Sequence, residues 1–555
     1  MENQIVKIKS LSSLEKCFLD EKLRSKKEVN KFIMFKNERL SFQFAYEMAP
    51  KTPDQILRGK VELEGEIAEY AKVRRVVSIP SYWIDRGGAD YDYLRTEPGL
   101  YPDMLADLQY RGQACIVKNQ LHSLWVDIKL PKEFESGNYK FTLKMTDKDR
   151  VLCEKTVEIK VISAELPKQK TIHTEWFYTD CIANYYGVKA FSEKHWKYIE
   201  SFMQTAVDNG INMILMPLFT PEIDTYIGGE RLTTQLLDIE VVGKDQYKFD
   251  FSKVDRWIAL CKKCGVDYFE IPHFFTQWGA QNAPKIVAKV NGKMKKIFGW
   301  KTEALGDEYK NFLRALLPEM IKHFKEKGID KNCFYHVSDE PSMSVLEHYK
   351  ACRELLSEYL SDYPIIDALS NVDFYKTGAI TKPVPHIPSI DKFLNLNIDG
   401  LWVYYCGESG RVSTCRIFAH SLTRTRVLGV QMYKYNIEGF LHWGYNFYNN
   451  WNSYDTVDPC LDSTGNYFVP SGDTYIVYPG KDGKALESIR LNALREAMDD
   501  IKALQLCEEL KGRDFVINLI NETAGMELTF FDYPKTSDFL VKLRNRVAME
   551  IENCK

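Results

Sequence analysis

Asp339 and Glu340 are the residues whose types and spacing most directly suggest chemistry. They lie in the segment HVSDEP (336–341), after the apolar run CFYHV (333–337) and before a helical pattern. Two adjacent carboxylates repel each other, and burial of either is costly unless a ligand or a reaction uses its charge. The pair is therefore either an exposed strand-to-helix junction or a pair of acids that acts on a substrate.

Glycoside hydrolysis is a reaction that would use such a pair. It needs a general acid for the leaving oxygen and a group that stabilises positive charge at the anomeric carbon. When the protein supplies the nucleophile, two carboxyl groups flank the bond about 5 Å apart, which neighbouring residues fit poorly. They better fit a reaction in which the sugar's own 2-acetamido oxygen attacks: one carboxylate orients the amide and the other protonates the leaving group. We expect Asp339 to raise the pKa of Glu340 and keep it protonated.

The elements that must position this pair alternate between short apolar runs and helical patterns after about residue 170, as in βα units. The pattern predicts strands at 173–178, 212–217, 267–274, 333–340, 364–370, 383–389, 401–406 and 439–446. It predicts helices at 194–208, 253–264, 308–328, 344–360, 418–432 and 485–511. This series indicates a (β/α)₈ TIM-like barrel, with the acidic pair at the carboxyl end of the fourth strand, where such enzymes build their sites.

The region before the barrel is predicted to be a β-sandwich. Strand-like runs broken by polar turns fill it, and the clearest is LHSLWVDIKLPKEFESGNYKFTLKM (121–145), two alternating strands joined by a turn. The predicted domains are therefore a sandwich at 1–168, a catalytic barrel at 169–511 and a small C-terminal appendage packed on the barrel at 512–555.

Other polar and aromatic side chains fall near the carboxyl ends of the predicted barrel strands. Tyr404 or Tyr405 could donate to the acetamido oxygen, and Trp443 could stack on a sugar ring. Barrel packing is the alternative for each of them, and His336 is expected behind the site or in the core. The predicted substrate-binding residues are His273, Trp278, Asn371, Trp402, Tyr404, Tyr405, Trp443, Tyr445 and Asn446.

Composition excludes several other classes of function. The net charge of -3 gives no broad electrostatic reason to bind nucleic acid or an acidic membrane. The 13 cysteines have no repeating spacing, and Cys261 and Cys264 form an isolated CxxC, so we expect free thiols in a reducing compartment. No phosphate loop or compact metal motif is present, although His273, His336 and Asp339 could in principle supply ligands. We expect no metal and no cofactor.

The N-terminus has no apolar core of signal-peptide length, and no apolar run approaches 18 residues. The sequence therefore predicts a cytoplasmic protein without a membrane span.

Several segments together resemble glycoside hydrolase family 123, the β-N-acetylgalactosaminidases. They are HVSDEP, IPHFFTQWGAQNAPKI (271–286), LWVYYC (401–406), GFLHWGYNFYN (439–449), DTYIVYPG (473–480) and SIRLNALREAMDD (488–500). The resemblance spans about 170–510. It implies a retaining, substrate-assisted exo-hydrolase that forms an oxazolinium-type intermediate and releases terminal β-linked N-acetylgalactosamine from a glycolipid or oligosaccharide. It also implies that Asp339 orients the acetamido group and Glu340 is the acid/base.

Two alternatives stay open at this point. Other 2-acetamido sugars, such as N-acetylglucosamine, differ at the 4-hydroxyl, and no residue indicates which epimer fits. A glycan-binding barrel without turnover would use the aromatic side chains alone.

Overall fold

The structure, a computed structural model, describes residues 5–84, 92–407 and 412–554. The chain forms two compact units. The first consists of Met1–Lys170, Val412–Lys434 and Leu486–Lys555, and the second of Thr171–Arg411 and Tyr435–Ala485. The chain therefore leaves the second unit once, for residues 412–434, and then returns to it.

Two five-stranded sheets form the β part of the first unit. Their orders are β1-β3-β8-β5-β6 and β2-β10-β9-β4-β7. The strands are β1 (Val6–Ser12), β2 (Lys31–Met34), β3 (Arg39–Met48), β4 (Ile56–Glu64), β5 (Ala71–Ser81), β6 (Gly99–Asp107), β7 (Gln113–Val117), β8 (Leu121–Lys129), β9 (Gly137–Asp147) and β10 (Arg150–Val161).

Alternating side chains join the two sheets into one core. Along β9, Phe141, Leu143 and Met145 are buried at every second position, as the period of two in a strand requires. The ring of Phe141 meets that of Phe42 from the other sheet, with centroids 5.9 Å apart. The facing sides of both sheets therefore share a hydrophobic cluster.

The second unit is α/β. Its strands are β11 (Ile172–Glu175), β12 (Met213–Leu215), β13 (Asp238–Gly243), β14 (Gln246–Asp250), β15 (Tyr268–Glu270), β16 (Ile286–Val290), β17 (Lys293–Phe298), β18 (Cys333–Phe334), β19 (Ile366–Leu369), β20 (Lys382–Pro385), β21 (Trp402–Tyr404), β22 (Gly439–His442) and β23 (Val477–Pro479), and β24 (Ala485–Glu487) lies where the chain passes into the first unit. Its helices are α1 (Thr179–Tyr186), α2 (Glu193–Asp208), α3 (Ser252–Cys264), α4 (Asp307–Glu326), α5 (Leu346–Leu360), α6 (Val372–Lys376) and α7 (Asp391–Leu394).

Parallel pairing joins eight strands of this unit in a series that returns to its first member. Six of them form one sheet, and β19 pairs with β20 in another. Parallel bridges between Tyr335 and Ile365 and between His386 and Tyr404 connect the two sheets. The order of pairing is β11, β12, β15, β18, β19, β20, β21, β22 and again β11.

The sequence patterns found these elements well. Each of the eight predicted strands overlaps an observed one, and the two short gaps between the later strands contain the short helices α6 and α7. The remaining helices belong to the first unit: α8 (Leu422–Arg426), α9 (Leu428–Lys434), α10 (Ile489–Lys511), α11 (Arg513–Ala524) and α12 (Ser537–Glu552). A β-rich N-terminal region followed by an α/β region is confirmed, and the domain boundaries at 168 and 511 stay a prediction.

No helix in the described parts of the chain combines the length and apolarity needed to cross a membrane.

A buried ion pair ties the helical part of the first unit to its strands. Arg490, in α10, donates from Nε and Nη2 to the two carboxylate oxygens of Asp103, in β6, at 2.8 and 2.9 Å. Both side chains are fully buried. Removal of either partner would leave a desolvated charge without its counter-charge.

We expect Asp103→Ala to lower the free energy of unfolding by about 3–5 kcal/mol, because the guanidinium of Arg490 would stay buried without the counter-charge of Asp103. Urea unfolding followed by tryptophan fluorescence measures this. The matched control is Glu62→Ala, which breaks the exposed Lys60–Glu62 pair and should leave the unfolding midpoint unchanged. Equal midpoints for the two variants would contradict the prediction.

Candidate active site

The acidic pair follows β18 at the carboxyl end of the parallel strands. Asp339 is half-buried and Glu340 is exposed. The backbone N–H of Trp278 donates to the carbonyl oxygen of Asp339 at 3.0 Å. Trp278 and Glu340 have φ angles of +61° and +42°, which cost on the order of 1–3 kcal/mol each for residues with a side chain. The backbone is thus held in an unfavourable conformation at the predicted acid, Glu340, and at the neighbouring Trp278.

Tyr404, at the carboxyl end of β21, contacts the pair directly. Its hydroxyl donates to the Oε1 atom of Glu340, and its ring packs on His386 with centroids 5.0 Å apart. Tyr405 points to the other side of the strand, where its ring and that of His442 form a T-shaped pair with centroids 5.2 Å apart. Of the two tyrosines considered in the sequence, Tyr404 is therefore the one in contact with Glu340.

A third carboxylate, Asp224, lies close enough to interact electrostatically with the pair. Burial raises the pKa of Asp339 well above its usual range, and the charges of Glu340 and Asp224 raise it further. Burial also raises the pKa of Asp224 to about 7, opposed by Arg231 and assisted by Glu340. Within the pair, the structure thus assigns a raised pKa to Asp339, and the expectation for Glu340 stays a prediction.

A buried histidine supports the chain just before the pair. His336 donates from Nε2 to Glu270 at 2.7 Å and from Nδ1 to Asp367 at 3.1 Å. Burial alone would lower the pKa of His336, but the hydrogen bonds and charges of Asp367 and Glu270 outweigh it and raise this pKa to about 10. The imidazolium therefore neutralises part of the charge of two buried carboxylates at neutral pH.

Asp367 also binds the backbone that leads to the catalytic pair. Its carboxylate accepts from the N–H of Val337 at 3.2 Å, from that of Ser338 at 3.4 Å and from the hydroxyl of Tyr349 at 2.6 Å. Trp176 donates from Nε1 to Glu270 at 2.7 Å on the other side of the histidine. These contacts fix the path of the chain two residues before Asp339.

His273 lies beside this network. Its ring centroid is 4.4 Å from that of His336, and its buried Nε2 atom has no hydrogen-bond partner among the residues that the structure describes. Burial, with the charge of His336, lowers the pKa of His273 well below its usual value, so the ring is neutral. A neutral imidazole with a free nitrogen can bind a sugar hydroxyl, in keeping with the prediction for His273.

A possible group of metal ligands differs from the one considered in the sequence. Side-chain atoms of His273, His336 and Asp367 lie within 4.8 Å of one another. However, both ring nitrogens of His336 already donate to carboxylates, so this residue has no lone pair for a metal. The donor set thus fits a hydrogen-bond network better than a metal centre.

Trp443 directly follows β22, and its Nε1 donates to Asp473 at 2.9 Å. The side chains of the next two predicted residues, Tyr445 and Asn446, form hydrogen bonds with main-chain groups. The hydroxyl of Tyr445 donates to the carbonyl of Phe202 at 2.8 Å. Asn446 bonds both the N–H and the carbonyl of Tyr178, at 2.8 and 3.0 Å.

Three predicted residues have contacts of other kinds. Trp402 is fully buried, and a Cβ at Gly439 would lie 2.3 Å from its ring, which shows tight core packing. Asn371 caps α6 by accepting from the N–H of Asp373 at 2.9 Å. Trp278 is 49% exposed beside the pair, where it could contact a ligand. Roles for these side chains in sugar binding stay predictions.

Four acidic residues of the site were not predicted from the sequence: Asp224, Glu270, Asp367 and Asp473. A signal existed for two of them, because Glu270 in YFEI and Asp367 in PIIDAL are lone acids inside apolar strand-like runs. A buried acid in such a run needs a partner, and His336 was the available one. Asp224 lies in a long insertion without periodicity, so no local pattern marks it.

One family model matches more than half of the chain. The family model described as glycoside hydrolase 123, catalytic domain, matches residues 176–507. A solved family 123 glycoside hydrolase from Clostridium perfringens, studied for glycolipid glycan hydrolysis, has 17% identity and a TM-score of 0.73, covering 99% of this chain and 98% of that one. A family 39 glycoside hydrolase from Bacteroides cellulosilyticus has 9% identity, 80% and 81% coverage and a TM-score of 0.34. No curated protein matches the sequence.

The raised pKa of His336 predicts a pH-dependent stability. A pKa of about 10 in the folded state, against about 6.5 when unfolded, contributes stability that is fully present below pH 6.5 and is lost as pH rises through 10. We expect His336→Gln to remove this loss, so that its free energy of unfolding depends less on pH between 7 and 10 than that of the unaltered protein.

The matched control is His122→Gln, because burial lowers the pKa of His122 to about 4 and this ring stays neutral over the same range. Urea unfolding at several pH values gives the slopes. A His336→Gln slope equal to that of the unaltered protein would show that the imidazolium does not form.

Proposed function

Because the chain belongs to glycoside hydrolase family 123, we propose that it is a retaining exo-hydrolase that releases terminal β-linked N-acetylgalactosamine by substrate-assisted catalysis. The observation that carries this proposal is the adjacent pair Asp339 and Glu340, with Tyr404 donating to Glu340 at the carboxyl end of the strands. The substrate is a glycan, and the solved relative that acts on glycolipid glycans is consistent with this class of substrate.

The proposed reaction has two steps at one carbon. First, the acetamido oxygen bonds to the anomeric carbon, the glycosidic C–O bond breaks, and Glu340 gives its proton to the leaving oxygen. The product of this step is an oxazolinium, whose positive charge is shared with the amide N–H. Next, a water attacks the anomeric carbon while the Glu340 carboxylate takes its proton. Two inversions give net retention.

Asp339 is suited to stabilise the intermediate. The ionised form of Asp339 is unfavourable, because burial and the charges of Glu340 and Asp224 all raise its pKa. A cation placed beside Asp339 would relieve this cost, and the amide N–H gains positive charge only as the transition state is approached. The interaction is therefore stronger in the transition state than with bound substrate, as catalysis requires.

The architecture proposed for this enzyme is a β-sandwich of two five-stranded sheets and a (β/α)₈ barrel. The series of eight parallel strand pairs that returns to β11 supports the barrel. The shared core of the two N-terminal sheets supports the sandwich. In such a barrel the acidic pair and Tyr404 would face the same opening, because both follow the carboxyl ends of strands.

Substitution of each acid tests the assigned roles. We expect Glu340→Gln to lower kcat/KM by about 10²–10⁴-fold on a glycan with a poor leaving group, but much less on an aryl glycoside that needs little protonation. Asp339→Asn should lower kcat/KM for both substrates, because the intermediate forms with either one. Near-normal turnover of an aryl N-acetyl-β-galactosaminide by both variants would contradict the roles.

A panel of aryl glycosides tests the sugar itself. We expect the β-N-acetylgalactosaminide to be cleaved fastest, its 4-epimer more slowly, and the galactoside that lacks the amide not at all, because the amide supplies the nucleophile. Steady-state kinetics on the unaltered protein measures all three. Cleavage of the amide-free galactoside would rule out substrate assistance, and faster cleavage of the 4-epimer would reassign the substrate to N-acetylglucosamine.

A further inference from the structure

We propose that Tyr226, Trp451 and Tyr454 form a binding surface for the sugar units on the leaving-group side of the glycan. This inference rests on the proposed function and extends it, since it assigns a site to the part of the substrate that remains after the terminal sugar is removed. We call these three residues the aromatic platform.

The aromatic platform is exposed to an extent that needs an explanation. The rings of Tyr226 and Tyr454 stack with centroids 4.3 Å apart and an interplanar angle of 16°. Tyr454 is 56% exposed, and Trp451, three residues before it, is 59% exposed. Two large aromatic side chains as exposed as Trp451 and Tyr454 in one short segment commonly mark a ligand surface. Pyranose rings suit this surface because their CH faces pack on aromatic faces.

A chain of contacts connects the platform to the catalytic pair. Trp278 donates from its backbone to Asp339 at 3.0 Å, and the neighbouring Gln277 accepts from the N–H of Asp224 at 2.9 Å. Ser453 donates to the carbonyl of Asp224 at 2.8 Å. The N–H of Tyr226 then donates to the carbonyl of Asn452 at 3.2 Å. The segments that carry the platform are therefore linked by hydrogen bonds to the segment that carries the catalytic pair.

Polar groups for sugar hydroxyls lie on this path. Within the described residues, no group donates a hydrogen bond to the half-buried carboxylate of Asp224, whose contacts are made by its backbone. The Nε2 atom of Gln277 is buried without an acceptor, and the residue itself is 5% exposed. A hydroxyl both donates and accepts, so one sugar hydroxyl could satisfy Asp224 and Gln277 together.

The leaving-group side is favoured over the terminal sugar for two reasons. In the proposed reaction Glu340 protonates the oxygen between the two sugars, and Asp224, which is hydrogen-bonded to Ser453 beside the platform, lies close enough to Glu340 to interact with it electrostatically. In addition, an exo-hydrolase encloses the terminal sugar and leaves the rest of the glycan directed towards solvent, which matches rings that are more than half exposed. The platform thus fits a chain that extends away from the catalytic site.

The test compares a trisaccharide that ends in β-linked N-acetylgalactosamine with the β-glycosyl azide of the same sugar, whose leaving group contains no ring. We expect Trp451→Ala and Tyr454→Ala each to lower the ratio of kcat/KM for the trisaccharide to that for the azide by about tenfold, equivalent to about 1.4 kcal/mol of transition-state binding. Tyr454→Phe keeps the ring and should keep the ratio.

Met294→Ala is the control for loss of exposed apolar surface in the same unit, because Met294 is 62% exposed on the β16–β17 hairpin, and it should change neither activity. An unchanged ratio in both alanine variants would overturn the platform while the proposed function stands. Failure of the unaltered protein to cleave either substrate would overturn the proposed function and the platform with it. Thermal midpoints equal to that of the unaltered protein exclude misfolding as the cause of a lowered ratio.

Discussion

The rest of the site depends on one buried imidazolium. His336 donates to Glu270, the last residue of β15, and to Asp367, in β19, so it joins the strands on either side of β18. Without its positive charge, the two buried carboxylates would repel each other and pay an uncompensated desolvation cost. Asp367 is thereby available to hold the N–H groups of Val337 and Ser338, which sets the direction in which the chain reaches Asp339.

Beyond this support, three acidic side chains lie close together. Asp339, Glu340 and Asp224 interact electrostatically, and burial adds to the cost of ionising Asp339 and Asp224. Ionisation of Asp339 and Asp224 becomes less unfavourable when a positive charge develops beside them. The reaction that we propose passes through an oxazolinium, which would supply such a charge only after binding, so the interaction would stabilise the transition state more than the bound substrate.

Local patterns in the sequence predicted the elements but not every side-chain role. The eight strands and most helices follow from hydrophobic periodicity, because this pattern reports which face of each segment is buried. The same pattern does not distinguish burial in a core from burial beside a ligand. Trp402, Tyr404 and Asn446 all lie in or directly after strand-like segments. However, Trp402 packs in the core and Asn446 donates to the main chain of Tyr178, whereas Tyr404 contacts Glu340.

By itself, the sequence determined the adjacency of Asp339 and Glu340, their place at the end of a strand and the family to which the chain belongs. These are local or linear properties that neighbouring residues define. Only the tertiary structure decided which other acids lie near the pair or near His336, since Asp224, Glu270 and Asp367 come from separate segments. It also decided how strongly the pKa of Asp339 is raised. Electrostatic interactions depend on distance in space, and folding sets that distance independently of separation along the chain.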